Sequence, residues 1–330
     1  MKKTRQLSYK ELLDILDAHD SKDKFDKPGS VPGCGELKEA LRTAFDLKRL
    51  DDQSADSLDE QSLESSDDQA VLGIDVYQYS QFEALPQSLI PFIVRLLYSE
   101  VCHQVFSECP YLWHDTNEEE LRKHFIDAGD GGYQLLDTPI HALLFALSFE
   151  TILRALNSFR FYPRLRRLLP RDLSVRYAIT YRNVFTFEHN YYGPGIIDNA
   201  RIMERDRLNR CLIDQGTFDW FTRNIRGVEN LGSIGLQDLQ LLPDFQGYDA
   251  SLAQKEGQVF PCKGGFPLLG SWKDIDVLKI GAVSVKNRPL SVYSLHVHFT
   301  CTMADEKDST KNETFTVSLG NLNTSGISDL

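Results

Sequence analysis

The chain has 330 residues, with 36 Lys and Arg against 48 Asp and Glu, a formal net charge of −12 and 42% hydrophobic residues. That length accommodates one large domain or two modest ones with a buried core, and an 11% aromatic and 25% charged share argues against wholesale disorder. The acidic balance disfavours non-specific nucleic-acid binding, which needs a basic surface to neutralise phosphates, but leaves room for a small anionic ligand held by a few local cations.

No run approaches the roughly 18 consecutive apolar residues of a membrane span. The basic start, Met1 to Gln6, leads into no apolar signal-peptide core. Six cysteines (Cys34, Cys102, Cys109, Cys211, Cys262 and Cys301) follow neither a disulfide nor a zinc rhythm. The expectation is a soluble, cytoplasmic protein of a reducing compartment, with no membrane or nucleic-acid partner.

Ser8 and Glu11 form a capping box ahead of Leu12, Leu13, Ile15 and Leu16, and a second helix runs through Leu37, Leu41, Phe45 and Leu47. Residues 1–50 therefore read as a helical extension. Asp51 to Gln69, rich in Asp, Glu and Ser, reads as an acidic linker, with the main domain over 70–330. Val71 to Val76 is expected to be a buried strand that carries an acid, Asp75, at its carboxyl end. A long helix follows, with Leu89, Ile90, Ile93, Leu96, Leu97 and Val101 at helical spacing. Phe125 to Tyr133 reads as strand, glycine turn and returning strand. Thr138 and Pro139 open a helix that reaches about Asn157. A strand from Val175 to Tyr181 is expected to pair with Val184 to Glu188. A Gly-Pro-Gly turn at Gly193, a helix from Ile197 to Leu208 and a strand from Arg210 to Asp214 come next. Leu231 to Trp272 is Gly-rich and weakly patterned, and Leu290 to Thr302 with Glu313 to Leu319 reads as a closing strand pair. This order predicts an α+β sandwich, helices packed on a mainly antiparallel sheet.

Two acids stand where strands stop, Asp75 at the end of the first and Asp130 at the tip of the glycine turn. If the strands are neighbours, the two carboxylates meet, and close carboxylates need a cation to stay charged. The chain is expected to enter a helix near Gln78, Tyr79 and Ser80, whose free amides would suit phosphate. Acids beside a helix start point to a metal–triphosphate site. The plainer alternative is that both aspartates only cap turns.

Five segments then resemble, in order, the class III nucleotidyl cyclases. Ile74-Asp75-Val76-Tyr77-Gln78-Tyr79-Ser80 is similar to the first metal motif of that family, and Gly129-Asp130-Gly131 to the second. Val175-Arg176-Tyr177-Ala178-Ile179-Thr180 resembles the basic strand. Tyr192-Gly193-Pro194-Gly195 with Asn199-Ala200-Arg201 resembles the Phe-Gly-Pro…Ala-Ala-Arg segment. Val285-Lys286 through Val292-Tyr293 resembles the terminal Lys-Gly…Val-Tyr strand. The run from Tyr192 to Arg201, leading to Asn209-Arg210-Cys211-Leu212, is further similar to the bacterial pyrimidine cyclases of anti-phage defence, which make cyclic UMP or cyclic CMP for a separately encoded effector.

The resemblance implies a ferredoxin-like cyclase domain with a helical amino-terminal extension and extra carboxyl-terminal strands. It implies two divalent cations, Mn²⁺ or Mg²⁺, on Asp75, Asp130 and the Val76 carbonyl, with phosphate cradled by Gln78, Tyr79 and Ser80. Arg176 and Lys286 would hold the triphosphate, and Arg201 would stabilise charge at the α-phosphate. The substrate would be UTP or CTP, converted to the 3′,5′-cyclic nucleotide and diphosphate by a homodimer with composite sites. A purine cyclase and a catalytically silent nucleotide-binding regulator remain as alternatives. Two positions depart from the family pattern. Ile197 occupies the place of the transition-state asparagine, and Asn199 lies on another helix face. Where adenylyl cyclases read adenine with a lysine and an aspartate, this chain has Ile126 and Asn190, which favours a pyrimidine base.

Other groupings have plainer readings. Cys102, His103, Cys109 and His114 fit no common zinc spacing. His296 and His298 share a strand face without an obvious third ligand. Asp127 reads as a hairpin residue rather than a substitute for Asp130. Arg164, Arg166, Arg167 and Arg171 read as a solvated helix end that complements the helix dipole, with a partner or phosphate surface as the alternative.

Overall fold

A computed structural model of the chain describes residues 68–108, 113, 116–159, 161–187, 190–224, 260–261, 269–285, 288–304, 312–321, 323 and 325–328. The amino-terminal helices and most of the acidic linker read from the sequence lie outside these residues, as do Lys286, Cys109 and His114. The described chain opens with strand β1 (Asp68–Val76), which starts ahead of the domain boundary expected at residue 70. Strand alternation puts Ala70, Leu72, Ile74 and Val76 on one side, in the main hydrophobic cluster, and Val71, Gly73 and Asp75 on the other.

Helices α1 (Ala84–Glu108) and α2 (Glu118–Lys123) lead to β2 (Phe125–Asp127) and β3 (Gly131–Leu136). Helix α3 (Pro139–Asn157) and the short α4 (Pro163–Arg166) then lead to β4 (Val175–Asn183). The strands lie in the order β4-β1-β3-β2, with β1–β3 and β2–β3 antiparallel. One helical crossover joins β1 to β2 and another joins β3 to β4. This is the split βαββαβ arrangement of ferredoxin-like folds, so the expected α+β class stands.

Beyond β4 come β5 (Phe185–Phe187), β6 (Asn190–Tyr192), α5 (Pro194–Arg205), β7 (Cys211–Asp214) and α6 (Gln215–Asn224). β8 (Phe260–Pro261), β9 (Leu269–Val285), β10 (Arg288–Ala304), β11 (Asn312–Leu319) and β12 (Ile327–Ser328) complete the set. β7 adds to β4 in parallel, and β10 and β9 extend the sheet antiparallel from there. The closing pair is the expected one, β10 with β11. The segment Asn183–Pro194 belongs to a second compact unit. Within it, β5 pairs with β6, not with β4 as the sequence suggested. Both edges of β4 are already taken, by β1 and β7.

The two sheet faces are covered unequally. Residues of α1, α3 and α6 pack on the first face, and α3 is buried along nearly its whole length, from Pro139 to Leu156. α1 and α3 are each long and apolar enough to cross a membrane; in α3 that apolar stretch is 94% buried inside the fold. Thr138 and Pro139 do open α3, but the Thr138 hydroxyl pairs with His141 Nδ1 at 2.9 Å rather than capping a backbone amide. On the second face Ile202 and Met203 of α5 pack with Ala178, Leu212, Val283 and Val292. Here α5 sits directly over Gly73. A Cβ at residue 73 would lie 2.2 Å from both Asn199 Oδ1 and Met203 Sδ. The Asn199 amide donates to the Val71 carbonyl at 2.7 Å and the Ala178 carbonyl at 3.0 Å, tying β1 to β4 beneath the helix.

Among the elements of ten residues or more, α6 and β9 were not anticipated. Asp214 opens α6 by accepting from the Thr217 amide at 2.9 Å, the capping geometry of a helix start, and burial pushes its carboxyl up to about 6. The close approach over β1 makes Gly73→Ala costly, because a methyl must displace a hydrogen-bonded asparagine. Overpacking of this kind costs about 1–3 kcal/mol, expected as a lower midpoint in urea unfolding. An unchanged midpoint would mean that α5 shifts without penalty.

Candidate functional site

The carboxyl end of β1, the amino ends of β3 and β4 and the chain after α5 converge at one end of the sheet. Asp75 pairs in register with Gly131, and the Val76 amide donates to the Asp130 carbonyl at 3.1 Å. The strand-end acids are thereby neighbours. Gly129 takes the positive φ of the turn, at 92°. Gly131 is needed for a different reason, since a Cβ there would lie 2.0 Å from the Ile74 carbonyl oxygen. Its absence of a side chain lets β3 close on β1 at the acid. Asp127 is a hairpin residue as read from the sequence. It accepts from the Gly129 amide at 2.8 Å and pairs with Arg95 at 2.6 Å.

Arg176 projects from β4 onto this pair. Its Nε donates to Asp75 Oδ2 at 2.6 Å and its Nη1 to the Asp206 carbonyl at 2.5 Å. Burial raises the Asp75 carboxyl above its ordinary value, Arg176 opposes that shift, and Asp130 adds to it. Tyr133 of β3, half-buried, feels the same charges. Burial first and then Asp75 push its hydroxyl up, while Arg176 pulls it down. Sequence reading did not single out Tyr133, although its register opposite Gly73 follows from the hairpin.

Behind Arg176 stands a buried ion pair. Asp206 Oδ1 lies 2.7 Å from Arg210 Nη2, and Asp206 also accepts from the amides of Leu208 and Arg210. Arg210 Nη1 continues to the Ser325 carbonyl at 2.8 Å. These partners give the buried charges the hydrogen bonds that make such a pair tolerable.

The expected helix start at Gln78 is not there. Gln78 is left-handed, with φ 58°, and Tyr79–Gln81 forms a single 3-10 turn; α1 begins only at Ala84. The glutamine ends the strand in a turn conformation, so Gln78, Tyr79 and Ser80 offer no helix dipole. Tyr77 and Tyr79 donate their hydroxyls to the carbonyls of Arg207 and Gln87. Arg171 does meet this turn, through Gln78 Oε1 and the Gln78 carbonyl, both at 3.3 Å. The arginine-rich segment is thus not a uniformly solvated helix end. Arg166 is buried, bonded to Asp172 and to the Leu169 carbonyl.

Among the described residues, the other expected site residues stand on other elements and have partners of their own. Arg201 is exposed on α5 and pairs with Glu204 at 2.6 Å. Ile197 packs on the second hydrophobic cluster, and Asn199 is buried in the contact with β1 and β4, so neither presents a free amide. Ile126 is half-buried on β2, and exposed Asn190 stands on the β5–β6 hairpin of the second unit. His296 is buried with its ring 4.4 Å from that of His298. Among the described residues no three or more His, Cys, Asp or Glu side chains form a metal-holding group. The Asp75–Asp130 pair nonetheless fits a divalent cation in donor chemistry: two hard oxygen donors in mutual repulsion, one already drawing a guanidinium.

Since Arg176 lowers and Asp130 raises the Asp75 value, Arg176→Ala should move the Asp75 titration to higher pH and Asp130→Asn should move it to lower pH. Carboxyl carbon chemical shifts followed through a pH series measure both. Shifts in the same direction would show that the two groups do not flank Asp75.

No family model matches the chain, and no curated protein matches it. Among solved structures, it is similar to the adenylyl cyclase CyaB of P. aeruginosa, with 11% identity, 69% of this chain and 93% of that one covered, and a TM-score of 0.39. It is similar to an adenylate/guanylate cyclase/hydrolase from Silicibacter pomeroyi, at 12% identity, 69% and 95% coverage and a TM-score of 0.39. A third is the guanylate cyclase domain of RhGC from Catenaria anguillulae in complex with GTP, at 9% identity, 70% and 96% coverage and a TM-score of 0.36. Likenesses at this level carry no weight for the activity of this chain.

Proposed function

We propose that the chain is a metal-dependent nucleotidyl cyclase of the class III type. The observation that carries this reading is the meeting of Asp75 and Asp130 at facing strand ends, with Arg176 against them. Asp75, Asp130 and the Val76 carbonyl would hold two divalent ions, Mn²⁺ or Mg²⁺. Bound there, such ions lower the pKa of an attacking ribose hydroxyl and neutralise leaving phosphates. In the reaction the ribose 3′ oxygen attacks the α-phosphorus, and diphosphate leaves. The chain's own part is to fix the acids on rigid strands, with Gly131 allowing their approach and Arg176 favouring the ionised form of Asp75. Arg201 and Lys286 are the residues we assign to the charge that develops on the phosphates.

For the base we propose a pyrimidine, UTP or CTP. Ile126 offers no donor to an adenine edge, and the Asn190 amide can turn either way to suit uracil or cytosine. The purine reading is the one that the names of the similar solved structures match, and it stands beside the pyrimidine reading. A silent nucleotide-binding regulator is the third, favoured by the isoleucine at position 197. A pyrimidine product would serve as a messenger to a separate effector in anti-phage defence. We further propose a homodimer with composite sites, because Arg201 is exposed and engaged only by its helix neighbour Glu204 among the described residues.

Incubating the purified chain with each of the four triphosphates and Mn²⁺ separates the three readings by which cyclic product, if any, accumulates. Asp75→Ala and Asp130→Ala should each remove turnover, by at least about a thousandfold, while the far-ultraviolet circular dichroism stays unchanged. Wild-type rates in either folded variant would sink the metal assignment. Mixing Asp75→Ala with Arg201→Ala chains should restore part of the activity through heterodimers that hold one intact site. No recovery despite demonstrated subunit exchange would refute the composite site.

A further inference from the structure

Arg171 lies between α4 and β4 and is exposed. Its guanidinium carbon sits 4.4 Å from the centre of the Phe82 ring, and its two terminal nitrogens reach Gln78 at 3.3 Å each. Among the described residues no carboxylate pairs with it. Arg176, to which the family resemblance assigns the triphosphate, is placed differently. Its Nε and Nη1 are committed to Asp75 and to the Asp206 carbonyl at 2.6 and 2.5 Å.

We propose that Arg171 is the residue that binds the terminal phosphates of the nucleotide, while Arg176 serves as the counter-ion of Asp75. This rests on the proposed reading of the Gln78–Ser80 turn as the phosphate-binding end of the site. The turn has no helix dipole to offer an anion, so beyond the proposed ions its positive charge comes from a side chain, and among the described residues Arg171 is the cation in contact with it. A guanidinium carries five N–H donors in a fixed plane. Two are spent on Gln78 in bonds at the long end of the range, which phosphate oxygens can replace at small cost. Stacking on Phe82 holds the plane without consuming a donor. For Arg176 the exchange would be costly. It would give up two short bonds, one of them charge-assisted, to the partly buried Asp75 and to the Asp206 carbonyl. The ligand chemistry implied is a di- or triphosphate chain, not a single phosphate.

The test titrates inorganic tripolyphosphate, with Mg²⁺ in excess, into the full chain by calorimetry. It compares wild type with Arg171→Ala, Arg171→Lys and Arg167→Ala, the last an exposed arginine of the same segment without contact to the turn. Arg171→Ala should weaken binding about tenfold, the size of one lost charge-assisted contact. Arg171→Lys should recover part of this, and Arg167→Ala should stay within twofold of wild type. In turnover assays Arg171→Ala should raise KM for the triphosphate more than it lowers kcat. Unchanged binding in Arg171→Ala, or an equal loss in Arg167→Ala, overturns the assignment while leaving the turn as a phosphate site. If the wild type itself binds no tripolyphosphate, the reading of the turn fails and the role of Arg171 with it.

Discussion

With Asn199 and Met203 filling the space where a side chain at residue 73 would stand, α5 is pressed onto β1 until backbone meets side chain. The Asn199 amide spends its donors on carbonyls of β1 and β4, and its own oxygen is buried without a hydrogen-bond partner. An unmet buried acceptor costs about 1–3 kcal/mol, so the two strand-bridging bonds and the packing of Ile202 and Met203 must outweigh it. What the contact secures is the direction of α5. The chain leaving that helix then delivers the Asp206 carbonyl to Arg176, and Arg176 to Asp75. The electrostatics of the sheet end are set from the face that α5 covers, the face that also carries Asp75.

At that end burial, repulsion and attraction all act on one carboxyl. Burial and Asp130 both work against ionisation of Asp75, and Arg176 works for it. Strand register holds the backbones of the two acids together whatever their charge. Removing the cation therefore raises the Asp75 value further. The same logic explains the two arginines near the turn. The one built into the sheet is locked by short bonds, and the one on the loop keeps donors to spare.

Much of the fold was legible in the sequence. β1, the β2–β3 hairpin, α3 and the β10–β11 pair follow from apolar alternation, glycine placement and the Thr138-Pro139 start. The neighbouring acids follow from one further assumption, that β1 and β3 pair. What escaped reading was what depends on distant partners. β5 looked like the hairpin mate of β4 because it is next in sequence, yet β1 and β7 had already filled both edges of β4. α6 carried a signal, Asp214 three residues ahead of Thr217, hidden by reading Asp214 only as a strand end. β9 followed a glycine-rich stretch that masked its alternation. Gln78 looked like a helix start because nothing local announces a left-handed glutamine. Arg171 touches residues some ninety positions away, and the Asp206–Arg210 pair matters only because Arg176 leans on it.

The Ser325 carbonyl accepts from Arg210, and just beyond it β12 lies in parallel along β9. The last described stretch of the chain is therefore a structural brace, not an appendage. Clipping it by a protease would strip a buried guanidinium of its acceptor, slacken the Asp206 pair and loosen the carbonyl that aims Arg176. Damage there would be felt as a change of acidity at Asp75, 250 positions before Ser325 in the sequence.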